Sequence, residues 1–279
     1  MSLDVIANGR SLDEISRNKI LGQIEEEYVI ELLRNLVQIN SINPPGDYKE
    51  ISSFIIHEIK GYGLDVQTYE HYAGRPNVVC HLEKDSGGPT LLMDTHFDIV
   101  PPYNLDKWDY DPFSANIVNN KIFGVGTTDA KGSLAAMMAA TKALAESDLN
   151  LAGNLLLVAW VDDEWVPEDS AWFNGESYLG KNKLTKADMA IFGEPYDLKV
   201  LYMSKGRIWF DFDVEGVACH SAEESGVNAI LGAVELISAI YACMHVRSRQ
   251  VGSGPRNKRA HRNRRLDNCH KDIHVGSSQ

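Results

Sequence analysis

The stretch Leu155-Leu156-Leu157-Val158-Ala159-Trp160-Val161 runs without a break into Asp162-Asp163-Glu164. An apolar run this continuous suits a strand buried on both faces, as in a parallel sheet, rather than one with a wet side. Two more runs share the design. Residues 90–93 pass into Asp94-Thr95-His96-Phe97-Asp98, and residues 189–193 pass into Glu194-Pro195. Residues 78–82 form a further apolar run, and Leu64-Asp65-Val66 alternates like a strand. Between these lie helical patterns. Val29, Leu32, Leu33, Leu36 and Val37 recur at helical spacing, as do Ile51, Phe54, Ile55 and Ile59. Leu134, Met137, Met138, Thr141, Leu144 and Ala145 outline a small-residue helix. Pro44-Pro45-Gly46 reads as a break between the first two helices. Strands alternating with helices predict an α/β fold with a mostly parallel sheet flanked by helices.

In such sheets ligands bind beyond the carboxyl ends of the strands. Three acidic clusters at three strand ends therefore converge on one edge. Asp129 joins them at the start of the small-residue helix, after Gly124-Val125-Gly126-Thr127-Thr128. Taken singly, each has a bland reading: Asp129 as a helix cap, His96 as a satisfied core histidine, Asp162-Asp163-Glu164 as a solvated turn, Glu194 as a loop residue. Taken together, carboxylates crowded around an imidazole repel one another unless a cation compensates. Imidazole and carboxylate without thiolate suit Zn²⁺ or a similar divalent ion in a catalytic site.

The chain has 279 residues and a formal charge of −12, with 44% hydrophobic and 24% charged residues. A sizeable core is therefore expected, and generic nucleic-acid binding is disfavoured. The charge is uneven, because residues 246–279 carry nine Lys or Arg against two Asp. The four cysteines (Cys80, Cys219, Cys243, Cys269) have no close spacing. Neither a signal peptide nor an apolar run of membrane length is seen, which leads us to expect a cytoplasmic protein with no membrane partner. Ile208, Phe210, Phe212 and Val214 alternate as in a half-buried antiparallel strand, followed by a helix over 227–245. The expected organisation is a loose polar arm (1–21), a catalytic metal-binding domain (22–204), the start of a second domain (205–245) and a basic tail (246–279).

The motifs resemble those of the zinc hydrolase family of acetylornithine deacetylase, succinyl-diaminopimelate desuccinylase, aminoacylase and carboxypeptidase G. The first metal motif of that family is similar to Leu92-Met93-Asp94-Thr95-His96-Phe97-Asp98-Ile99-Val100-Pro101. Trp108, Asp111-Pro112-Phe113 and Asp129-Ala130-Lys131-Gly132 resemble the second, Asp162-Asp163-Glu164 the third and Gly193-Glu194-Pro195 the fourth. Gly206-Arg207, His220-Ser221 and Gly226-Val227-Asn228-Ala229-Ile230 resemble the opening of its lid domain.

The resemblance implies a hydrolase of amide bonds in N-acyl amino acids or small peptides, using two zinc ions, with Co or Mn as alternatives. His96 and Glu194 would hold one ion, Asp129 would bridge both, and Glu164 would hold the second. Asp98 would orient the His96 imidazole. Asp163, where the family usually has Glu, would be the general base. His220 would reach a neighbouring subunit's site and stabilise the oxyanion, which implies a homodimer through the lid. Asn228 would assist or would simply begin a helix. Gly254-Pro255 with Ala260-His261 is similar to the family's closing pattern and would make His261 a ligand; the other reading is chance. Two alternatives stand beside the enzyme: a truncated, non-catalytic metal-binding member, and an anion or nucleic-acid binder acting through the basic tail.

Overall fold

The computed structural model describes residues 13–85, 87–166, 173–203, 210–222 and 225–248. It divides into two units, Met1–Tyr202 and Met203–Gln279. The first contains helices α1 (Glu14–Leu21), α2 (Glu26–Gln38), α3 (Lys49–Gly61), α4 (Lys131–Glu146) and α5 (Gly175–Lys181). Its strands are β1 (Val66–Glu70), β2 (Pro76–Leu82), β3 (Thr90–His96), β4 (Asn116–Val118), β5 (Lys121–Phe123), β6 (Asn154–Trp160) and β7 (Met189–Phe192). Five strands form one sheet in the order β1-β2-β6-β3-β7, and β4 pairs with β5 apart from it.

The α/β class expected from the sequence is the one found. The sheet is mixed: β1 with β2 and β2 with β6 are antiparallel, whereas β3 is parallel to both β6 and β7. The apolar run of β6 is explained by burial on two sides. Leu155, Leu157, Ala159 and Val161 pack with Leu36 of α2, Ile55 of α3 and Leu134 of α4. Leu156, Val158 and Trp160 face the other way, with Leu179 of α5. Helices thus cover both faces of the central strands, which is why alternate residues need not be polar.

Three expectations are corrected. The arm is not loose throughout, because residues 14–21 form α1, capped by Asp13, whose Oδ1 accepts from the Ser16 N–H at 2.8 Å. It buries no residue, and Ile15 is 82% exposed, so no apolar stripe announced it. Strand β7 is not buried on both faces. It is last in the strand order, and Ile191 and Phe192 are 52% and 55% exposed. Finally, residues 210–216 form no strand; among the described residues the second unit shows only the bridge Val217–Val227 and helix α6 (Ala229–Ser248). Alternation makes a ladder only when another strand is present to accept it, and residues 210–216 have none among the described residues. Ile208 lies outside the described residues, as do Gly206 and Arg207.

Two tight contacts hold the turn before α4. Lys131, fully buried, donates from Nζ to the carbonyls of Leu36 (2.8 Å) and Ile39 (2.9 Å). It thereby satisfies acceptors at the end of α2 that have no partner within the helix. Burial lowers its amine to about 7, against the pull of Asp98. Gly126 has φ +76°, and an added Cβ would lie 2.4 Å from Ile99 Cγ2. No described helix is long and apolar enough to cross a membrane.

Gly126→Ala should lower unfolding stability by about 1–3 kcal/mol through overpacking and a strained backbone. Gly180→Ala, where an added Cβ meets nothing within 4 Å, should be neutral or stabilise by up to about 1 kcal/mol. Urea unfolding midpoints of the two variants check this contrast.

Candidate metal centre

Parallel pairing sets the geometry of the site. His96 ends β3 opposite Trp160 of β6, and Asp94 lies opposite Phe192 of β7. The chain segments leaving β3, β6 and β7 therefore start from one edge, and they carry Asp98, Asp163 with Glu164, and Glu194. The Gly193 N–H donates to Asp94 O at 2.7 Å, and Thr95 Oγ1 donates to Gly193 O at 3.0 Å, which ties the Glu194 turn to β3.

His96 is fully buried, and its Nε2 is 3.0 Å from Asp129 Oδ1, 3.8 Å from Glu194 Oε1 and 3.9 Å from Asp163 Oδ2. Those three carboxylates are about half open to solvent. Ligand atoms of His96, Asp129 and Glu194 all lie within 4.8 Å of one another. One imidazole and two carboxylates, converging with no thiolate, fit a divalent cation of the zinc type. Asp129 is not used as a helix cap: the N-cap of α4 is Ala130, with no side-chain cap hydrogen bond.

Asp98 lies at the crossing point of two loops. Its Oδ1 is 3.4 Å from His96 Nδ1, which also sits 3.1 Å from the Asp98 backbone carbonyl. Its carboxylate accepts the backbone N–H of Asp163 (3.3 Å) and of Glu164 (3.1 Å), and Asn43 Nδ2 at 2.9 Å. Burial alone would raise the Asp98 carboxyl; hydrogen bonds from His96, Asn43 and Glu164, with the charge of His96, outweigh it and hold it below the usual range. For His96 burial pulls downward, but hydrogen bonds to Asp129 and Asp98 and the charges of Asp98 and Asp163 raise the imidazole to about 11. Glu164 is raised to about 7, first by burial, with His96 opposing and Asp129, Asp98 and Asp163 adding repulsion. Burial also raises Glu194, again against His96. Glu164 stands in the same electrostatic field but outside the converging group of three.

The sequence reading missed several polar residues around these. Glu176 of α5 is raised by burial and by the charge of Asp163. Asn43, Tyr48 and Arg75 gather on Asp162. They come from segments far from the strand ends in sequence, and only the Asn43 neighbourhood carried a signal, the Pro44-Pro45-Gly46 break. In the second unit, His220 Nδ1 accepts the Ala222 N–H at 3.2 Å. Asn228 begins a helix, since its Oδ1 accepts from the N–H groups of Ile230 (2.9 Å) and Leu231 (3.3 Å). His261 and the basic tail lie outside the described residues.

A mixed sheet that sends a histidine and several carboxylates to one edge defines an α/β protein with a candidate divalent-metal centre. A family model, peptidase family M20/M25/M40, matches residues 92–255, and the chain belongs to that family. Among curated relatives, an acetylornithine deacetylase of Proteus mirabilis is 30% identical over 209 residues, covering 72% of this chain and 51% of its own length. A probable succinyl-diaminopimelate desuccinylase of Staphylococcus epidermidis is 29% identical over 209 residues, covering 74% and 49% respectively. The chain thus spans about half the length of these relatives. An M20 family metallo-carboxypeptidase of Sulfolobus solfataricus superposes with a TM-score of 0.52 at 26% identity, over 61% of this chain and 37% of that one. A tripeptidase of Staphylococcus aureus shares the fold with a TM-score of 0.52 at 21% identity, over 78% and 57%.

In the metal-free protein, the hydrogen bonds to His96 favour its charged form. Because its folded value of about 11 lies above the free value of 6.5, this contribution to stability is complete below pH 6.5 and is lost as pH rises through 11. Imidazole ¹⁵N shifts should show His96 protonated beyond pH 9, and Asp129→Asn should lower its pKa by about 1–2 units.

Proposed function

We propose that the chain is a metal-dependent hydrolase of amide bonds in N-acyl amino acids or small peptides. The observation that carries this reading is the convergence of His96, Asp129 and Glu194 within 4.8 Å, with the Asp163 carboxylate 3.9 Å from His96 Nε2. The names of the deacetylase and desuccinylase relatives point to N-acyl amino acids, and that of the carboxypeptidase points to peptides.

In this reading His96 and Glu194 would hold one zinc ion, Asp129 would be shared with a second, and Glu164 would complete the second site; Co²⁺ or Mn²⁺ would serve similarly. Bound ions would supply Lewis acidity to the amide carbonyl and to the attacking water. Asp163 would accept a proton from the attacking water and pass it to the leaving amine. Its side chain is one methylene shorter than glutamate, so its reach depends on where the turn after β6 places it. Asp98 fixes the ring of His96 from behind. Residues 205–245 would open a lid through which a homodimer forms, and His220 of one subunit would stabilise the oxyanion in the other.

The test is elemental analysis of purified protein together with assays on N-acetyl-ornithine, N-succinyl-diaminopimelate and dipeptides. We expect bound Zn²⁺, Co²⁺ or Mn²⁺, and turnover that a chelator removes and added metal restores. Asp129→Ala should lower that turnover by at least about 100-fold. Protein that takes up none of these metals would remove the basis for the assignment.

A further inference from the structure

The Pro44-Pro45-Gly46 segment does more than separate two helices. The three residues before it lie along the chain that leaves β3. Ile42 bridges Ile99, the Asn43 N–H donates to Ile99 O at 2.8 Å, the Ile99 N–H donates to Ser41 O at 3.1 Å, and Ser41 Oγ donates to Phe97 O at 2.7 Å. The Asn43 side chain then crosses to the chain that leaves β6. Its Nδ2 lies 2.9 Å from Asp98 Oδ2, 3.2 Å from Asp162 Oδ1 and 2.6 Å from Trp165 O. An amide nitrogen has two hydrogens, so three acceptors from both strand-end loops compete for one small group.

Asp162 is the second anchor. It is fully buried and, although not glycine, has φ +71°. A positive φ is uncommon outside glycine, and aspartate and asparagine are the residues that adopt it most readily. Tyr48 donates its hydroxyl to Asp162 Oδ1 at 2.8 Å, and Arg75 Nη1 is bound to the same oxygen. His71 Nε2 lies 3.0 Å from Asp162 Oδ2, off the line of a hydrogen bond. Arg75 also donates from Nη2 to Pro45 O at 2.7 Å, and its guanidinium lies over the rings of Tyr48 (5.6 Å) and Trp165 (6.0 Å). Gly46 makes room for it: with φ +79°, a Cβ there would lie 2.7 Å from Arg75 Nη2. Asp163 and Glu164 follow directly on Asp162, and their N–H groups go to Asp98, which Asn43 also holds.

We propose that Asn43 and Arg75 are positioning residues of the metal centre. They clamp the 162–165 turn in its left-handed bend and thereby fix where Asp163 and Glu164 stand relative to His96. This inference rests on the metal-site reading above.

Two readouts on the full chain test it: Co²⁺ affinity by visible absorption, and amide hydrogen exchange at residues 163 and 164 of the metal-free protein. Asn43→Ala should weaken Co²⁺ binding by about 10–100-fold, a typical loss for groups that orient ligands, and should speed exchange at both amides. Arg75→Lys keeps the charge but loses the fork; it should do the same more mildly, and it decides the matter if Asn43→Ala does not fold. Ile55→Ala, a core truncation in α3, should lower the melting temperature while leaving Co²⁺ affinity unchanged. The clamp is overturned if the Asn43 and Arg75 variants keep wild-type affinity and exchange, or if Ile55→Ala weakens Co²⁺ binding as much as they do. Wild-type protein that binds no Co²⁺ overturns the metal reading instead, and the exchange data then judge the clamp alone.

Discussion

Because β3 is hydrogen-bonded in parallel to β6 on one side and to β7 on the other, three chain segments leave the sheet at one edge. Their acidic residues are brought together by backbone geometry before any side-chain preference acts. A buried imidazole then meets three half-exposed carboxylates, and the charges must be reconciled in a small volume. The fold answers by placing Asp98, behind the imidazole, out of water and using it as an acceptor for the backbone of the neighbouring loop. Asp129, Asp163 and Glu194 are left facing outward, where a cation can meet them. Much of the polar structure near the edge, from Ser41 to Trp165, follows from that arrangement.

The strand-end clusters were legible because continuous apolar runs are a strong signal for central strands, and an acid directly after such a run has a predictable place. The same logic failed at β7. Apolar continuity records what a strand is able to bury, and Ile191 and Phe192 are exposed in this chain because nothing described covers the outer edge. The alternation of Phe210, Phe212 and Val214 failed for a related reason: period two describes a surface suited to a sheet, and a sheet also needs a neighbour. Helix α1 was invisible from the other direction. Its stability comes from a capping aspartate and helix propensity rather than a buried stripe, so periodicity has nothing to report.

The residues behind the site were the least legible. Asn43, Tyr48 and Arg75 belong to a loop, a helix cap and the end of a turn, in stretches whose local pattern is polar or broken. Their importance arises from contacts across more than eighty positions, such as Arg75 with Asp162 and Asn43 with Trp165. Single-sequence reading weighs neighbours along the chain, and these groups are neighbours only in space. Asp162 shows the point most sharply. In the sequence it is one acid of three in an acidic run, whereas in the structure it is the buried one, and it turns the backbone for the other two.

Lys131 has a consequence for how the molecule comes apart. Its amine closes the last turn of α2 from the first residue of α4, so that turn cannot fray by itself as helix ends commonly do. Opening it requires releasing a dehydrated amine, disturbing the glycine turn beside Ile99, and loosening the Ser41–Ile99 pairing that follows α2 in the chain. Regions far apart in sequence are thus bound into one cooperative unit. The same amine thereby ties the end of α2 to the Ser41–Ile99 pairing, beside the loop that carries Asp98.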